Sequence, residues 1–212
     1  MVAKTIVAAD MNLFKKTATM IATLALTACA GSFEVAYPEA VSGADAATWR
    51  VQNVIATVPD ELTTTEQNTF APSADIVWHG EERGDRKAQV SAIVQDGITS
   101  GTAGLNGSRP VTITASIRQF HGVTPLAVAR APQAVHNIDY IMQVFDSATG
   151  APLTAPIPVQ ADLEANVGAA AITAAIQGRD QRTRIVTHLA AVTAAVLGFG
   201  PDQRRTFSGL GR

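Results

Sequence analysis

The 212-residue sequence has one cysteine, 5% aromatic residues and no surplus of basic charge. A single cysteine excludes an intramolecular disulfide framework and any zinc or iron–sulfur site built on several thiolates. Sixteen Lys and Arg against eighteen Asp and Glu give a formal charge of −2, leaving no basic excess to draw in nucleic acid. No G-x-S-x-G elbow, Walker loop or dinucleotide-binding glycine pattern occurs, and no internal repeat is visible. What is present is a 47% hydrophobic fraction, enough for one ordinary core.

Part of that fraction belongs to a targeting segment. Lys15 and Lys16 precede an uncharged stretch, residues 17–28 (TATMIATLALTA), that ends in small residues at Cys29. A helix of that length rises about 18 Å, against a hydrocarbon layer of about 30 Å, so it is a signal segment and not a membrane span. Met11 stands just before the lysine pair, so MNLFKKTATM reads as the more usual opening of such a segment.

Leu26, Thr27, Ala28 and Cys29 together resemble the lipobox of bacterial lipoproteins, in which the cysteine becomes the new N-terminus. The resemblance implies diacylglycerol and an N-acyl chain on Cys29, and no other cofactor. Ala30 after the cysteine implies, in such lipoproteins, sorting to the outer membrane with the body facing the periplasm. The alternative is an A-x-A cleavage site at Ala28, Cys29 and Ala30, which would release a soluble periplasmic protein. Cleavage before Cys29 removes Lys4, Asp10, Lys15 and Lys16, leaving 184 residues and a formal charge of −4.

Downstream, the sequence predicts a single α+β domain at 49–200, with a mixed or antiparallel sheet and two principal amphipathic helices packed on it. The signal peptide, residues 1–28, and a flexible lipidated tether, residues 29–48, precede it, and residues 201–212 read as a polar tail. Residues 49–58 have the composition of a strand, and Thr63 with Glu66 has the spacing of a capping box. Asp85 suits the N-cap of a helix whose face is Val90, Ile93, Val94 and Ile98. Val111, Ile113, Ala115 and Ile117 alternate with polar residues, the clearest strand pattern in the chain. Residues 134–145 read as its partner, and Asp146 to Gly150 as a hairpin loop with Gly150 at the positive-φ position. Prolines 152, 156 and 158 suggest that residues 159–165 form an edge strand. Residues 166–177 are an alanine-rich candidate helix, and Ile185, Leu189, Val192 and Val196 recur at helical spacing.

The four histidines are the natural place to look for chemistry. His79 with Glu81, Glu82 and Asp85 forms the densest polar group, and an imidazole with carboxylates is a plausible divalent-metal donor set. His121 ends the best strand and His136 lies in the next, so the two are candidate cross-strand neighbours and candidates for a shared ligand site. Each has a plainer reading, a solvated loop beside a helix start for the first and backbone-bonded strand ends for the second.

The segments ADIVWHGEERGDRKAQV, RPVTITASIRQFHGVT, AVHNIDYIMQVFDSATG and RIVTHLAAV, with the lipobox, resemble small uncharacterised lipoproteins of Gram-negative bacteria. The match is especially to an alphaproteobacterial family of unknown function. The layout is also similar to CsgG-like and TolB amino-terminal-like periplasmic domains. These resemblances imply a non-catalytic interaction or envelope-assembly module held to the membrane by its lipid, with an envelope protein as partner. A ligand- or metal-binding lipoprotein using His79, Glu81, Glu82, His121 or His136 is the second expectation, and a periplasmic hydrolase the third.

Overall fold

A computed structural model of the protein describes residues 31–209. The signal segment, the lipobox residues Leu26, Thr27 and Ala28, and Cys29 lie outside the described residues. Strands β1 (Gly31–Ala36), β2 (Trp49–Thr57), β3 (Thr64–Thr65), β4 (Ile76–Val77), β5 (Arg109–His121), β6 (Ala134–Asp146), β7 (Ile157–Ala161), β8 (Leu163–Ala165) and β9 (Arg205–Gly209) form one mixed sheet. The helices are α1 (Gly43–Ala46), α2 (Arg86–Gly101), α3 (Pro125–Arg130), α4 (Gly168–Ile176) and α5 (Gln181–Val196).

The sheet is organised by β5 and β6. Alternation buries Val111, Ile113, Ala115 and Ile117 of β5 beside Tyr140, Met142 and Val144 of β6. Strict alternation would turn Phe120 outward, but the register slips between Ile117 and Gln119, a bulge that returns Phe120 to the core. The turn after β6 is built by Asp146, whose Oδ1 accepts from the amides of Ala148 and Thr149 at 3.0 Å each, and Gly150 adopts φ 72° as expected.

The order β3-β4-β5-β6-β7-β1-β9 runs across the sheet, with β2 parallel to β5 on the same side as β4 and β8 continuing beside β6. β2 reaches β5 through α2, the crossover that a parallel pair requires. α2 and α5 then cover one face of the sheet. α2 starts at Asp85, whose carboxylate accepts from Ala88 N at 3.0 Å, and α5 at Asp180, which accepts from Thr183 N at 2.8 Å. The two helices approach closely at Gly97, where a Cβ would lie 2.5 Å from that of Leu189. Among the described residues no helix is long and apolar enough to cross a membrane.

Four expectations change. The stretch expected as a tether is folded from Gly31 onward, because Phe33 and Val35 alternate into the core while β1 pairs with both β7 and β9. The expected polar tail supplies β9, held by five residue pairs from Gly31–Gly209 to Val35–Arg205. Thr63 caps no helix, because its amide and hydroxyl both donate to Asp75 Oδ2 at 2.7 Å and bring β3 beside β4. β7 is an interior strand despite Pro158. β1 pairs with it only at Gln160 and Ala161, so the proline's missing donor falls where that side of β7 is still open.

β1 is secured by Asp162, which stands between β7 and β8 and is 1% exposed. Its Oδ2 accepts from Glu34 N at 3.1 Å, while Oδ1 accepts from Asn137 Nδ2 at 3.1 Å and from Ile138 N at 3.3 Å. Burial nevertheless pushes its carboxyl above the usual range, and these donors oppose that rise. Removing the carboxylate leaves buried donors on β1 and β6 unpaired. Asp162→Ala is therefore expected to cost about 3 kcal/mol, read as a lower urea midpoint, with Asp162→Asn milder. An Ala variant as stable as the native protein would refute this role.

Candidate functional site

Residues 79–85 link β4 to α2, and Arg86, 6% exposed, gathers this loop around itself. Its Nε and Nη2 donate to the two carboxylate oxygens of Glu66 at 2.6 and 3.0 Å. Its Nη1 donates to the carbonyls of Glu81 and Glu82 at 3.2 and 3.1 Å and to Gln89 Oε1 at 2.8 Å. Glu81 uses its carboxylate elsewhere, accepting from Arg182 Nε at 2.7 Å, while Arg182 Nη2 donates to Asp96 Oδ2 at 2.6 Å. The bidentate Arg86–Glu66 pair ties α2 to the segment after β3, and Arg182 of α5 joins the loop at Glu81 and α2 at Asp96 through one bond each. The Arg86 guanidinium holds the Glu66 carboxyl below its usual range. His79, half-buried beside this network, is pushed toward its neutral form chiefly by burial, with the Glu66 charge opposing.

Sequence reasoning singled out Glu81, Glu82 and His79 here and missed Arg86, Glu66 and Arg182. One signal was available. A cation in the first turn of a helix opposes the macrodipole, which marks Arg86 as a residue engaged elsewhere.

The other two candidate histidines are separate. His121 is opposite Asn137 in the β5–β6 register, and its Nε2 bonds the carbonyl of Ala74. His136 lies one residue further along β6, opposite Leu163 of β8, and its Nδ1 accepts from Val123 N at 3.2 Å. Among the described residues no three His, Cys, Asp or Glu side chains are grouped to hold a metal ion. His79, Glu81, Glu82, His121 and His136 thus do not form one donor set.

The histidine that does approach His136 is His188, on α5. Burial depresses the pKa of His136 to about 3, aided by the charges of Arg184 and His188. Burial likewise lowers His188 to about 4, with Arg205 and Arg184 adding to the effect and the backbone of Ala161 and Asp162 opposing it. Tyr140 and Thr193 occupy the same layer, and Tyr140 is pushed up by burial. The arrangement keeps two neutral imidazoles in the core and does not present a base to solvent.

The outer surface near these groups carries two shallow grooves. One, of about 340 Å³, lies between Ala134, Glu164, Ala170, Arg184 and the end of β9 at Ser208 and Gly209. The second, of about 300 Å³, is bordered by Val128, Ile172, Ala175, Arg179 and Arg184. α4 runs along both. Its sequence, GAAAITAAI, has one polar side chain, and the Thr173 hydroxyl donates to Ala169 O at 2.9 Å. Only Ala174 is buried, whereas Ile172 and Ile176 are 65% and 82% exposed. A helix this apolar ordinarily buries a face.

The opposite side of the sheet offers a different surface. β2 is nine residues long and its one strand partner is β5; on its other edge an antiparallel bridge joins Arg50 to Asn106, with Gly107 N donating to Trp49 O at 2.7 Å, and the later part of that edge, with Ile55 48% exposed, has no strand partner among the described residues. Long open edges are otherwise shielded in stable proteins.

The two buried histidines make stability depend on pH in a defined direction. Both have folded-state pKa values below the ordinary 6.5, so their contribution is complete above that value and is lost as pH falls toward about 4 and about 3. Between pH 7.5 and pH 5 the loss is expected to be about 2 kcal/mol per histidine. Urea midpoints at the two pH values measure it, and His188→Gln should remove about half of the difference. An unchanged midpoint would show that the imidazoles are not held neutral.

Among curated proteins none is similar to this chain. Several solved structures are similar at low level, three of them as follows. A candidate lipoprotein from Caulobacter crescentus CB15 is 11% identical, covers 51% of this chain and 83% of its own, and has a TM-score of 0.33. Two structures of the PelC dodecamer from Paraburkholderia phytofirmans are 10% and 11% identical, with TM-scores of 0.34 and 0.33. They cover 79% and 83% of this chain and 98% and 99% of their own. Residues 49–212 match the model of a family of unknown function, DUF6778, and the chain belongs to that family.

Proposed function

We propose that the protein is an outer-membrane lipoprotein whose periplasmic domain binds an envelope protein through the open edge of β2, without catalysis. The observation that carries the partner reading is the later part of that edge, beyond the Arg50–Asn106 bridge, which has no strand partner among the described residues and holds the half-exposed Ile55. An extended segment of a partner adds to such an edge as a further strand, gaining main-chain hydrogen bonds without a deep pocket. The ion pairs around Arg86 are compatible with this role, since α2 forms the crossover between β2 and β5 and Lys87, on its first turn, donates to the carbonyls of Pro59 and Asp60 just beyond β2.

The lipid-anchor reading rests on the lipobox Leu26, Thr27, Ala28 and Cys29, and gains support from a domain that begins at Gly31, two residues beyond Cys29. Cys29→Ala is expected to abolish incorporation of radiolabelled palmitate and to shift the protein out of the membrane fraction. Unchanged labelling and fractionation would end that reading. For the edge, a pull-down from detergent-solubilised membranes should recover a reproducible partner with the native chain and lose it with Ile55→Lys, which places a charge on an exposed position without touching the core. Recovery of the same partner by both chains would exclude β2.

A further inference from the structure

We infer that α4 is a membrane-contacting element, so that the acylated domain rests with this helix against the anionic lipid surface. The inference deepens the lipid-anchor reading above and depends on acylation of Cys29.

Three observations converge on this face. The first is the helix itself. Ile172 and Ile176 stand open, and the single polar side chain of α4 is engaged within its own helix. A helix with exposed apolar residues and no charged side chain is matched to an apolar or interfacial surrounding.

The second is the place where the chain enters the fold. β1 starts at Gly31, paired with Gly209, and Gly209 lines the same groove as Ala170 of α4. The entry point of the domain therefore lies beside this helix. Gly31 is two residues from Cys29, and two extended residues span about 7 Å. An acyl group on Cys29 thus leaves too little chain to lift the domain clear of the headgroups, and the face at the entry point is the one brought to them.

The third is charge. Residues 165–179 (ANVGAAAITAAIQGR) contain no Asp or Glu, and the exposed Glu164 and Asp180 at their two ends, each lining one of the grooves, are outnumbered by Arg130, Arg179 and Arg184. Arg179 borders the groove that Ile172 also lines, and Arg130 ends α3, whose Val128 lines that groove too. Both arginines are exposed. An apolar helix flanked by cations is suited to phosphate headgroups above acyl chains.

The test uses the full chain, acylated in bacterial membranes and reconstituted into vesicles of phosphatidylethanolamine and phosphatidylglycerol. Acylation consumes the Cys29 thiol, so Ile176→Cys and, separately, Ile55→Cys each offer one site for an environment-sensitive fluorophore. Both positions are exposed, and neither substitution touches the core. Mass spectrometry reports acylation independently. The expected result is a blue-shifted probe at 176, quenched at least twofold more by lipid-borne nitroxide than the probe at 55. Acylated protein whose probe at 176 remains as accessible to aqueous iodide as that at 55 overturns the inference and leaves the anchor intact. A shielded probe that lipid nitroxide does not quench, and whose shielding rises with protein-to-lipid ratio, assigns the face to a second copy and also overturns it. Absence of acyl chains removes the anchor reading, and this inference falls with it.

Discussion

The buried carboxylate of Asp162 is the contact on which the arrangement of the sheet depends. A chain that leaves β7 for β8 must break its ladder somewhere, and the break strands backbone donors on the strands at either side. Asp162 occupies the break and supplies the missing acceptors to Glu34 on one flank and Ile138 on the other. Its own amide donates to Glu34 O at 3.1 Å, so side chain and backbone hold β1 from the same residue. Burying a carboxylate is costly, and three donors offset that cost only when all are in place. β1 and β9 therefore join the sheet as a consequence of one polar node, and their apolar contacts, Phe33 against Phe207 among them, close around it.

The elements that could be read in advance are those whose own residues carry a period. The alternation of β5, the N-cap Asp85 and the glycine of the β6 turn are local features, and local features survive folding. The outer strands were illegible for a physical reason. GSFEVA and RTFSG are short, polar at alternate positions and flanked by glycine or proline, so each resembles a linker until the other is beside it. Register across 170 or so intervening residues is a tertiary property, and no window of sequence contains it. Pro158 misled in the same way, since whether a missing donor matters depends on how far the neighbouring strand extends.

The polar surface shows a comparable division. His79, Glu81 and Glu82 were visible as a dense acidic and imidazole cluster, but the cation that organises them lies just past the helix cap, and its main acceptor, Glu66, comes 20 residues earlier. Of these residues Glu81 serves Arg182 through its carboxylate, and Glu82 serves Arg86 through its backbone carbonyl. In the core the opposite holds. His136 and His188 are far apart in sequence, yet the fold brings them near enough for His188 to add to the shift of His136, and burial is the main cause that holds each neutral. The open edge of β2 is similarly a property of topology, because the residues of that strand do not differ in character from those of an interior one.

The short lead from Cys29 to β1 has a mechanical corollary. Tension arriving at Gly31 runs along β1 and is opposed first by the antiparallel β9, from Gly31 to Val35, and then by β7 at Val35 and Ala36. The ladder bonds on both sides are then loaded in shear, many at a time, instead of being unzipped singly from an end. With β2 at the far side of the sheet, a load entering there crosses β5, β6 and β7 before it reaches β1. The sheet is accordingly a transverse strap between its two ends, stiff along the strands, and the covalent start of the domain is its reinforced grip.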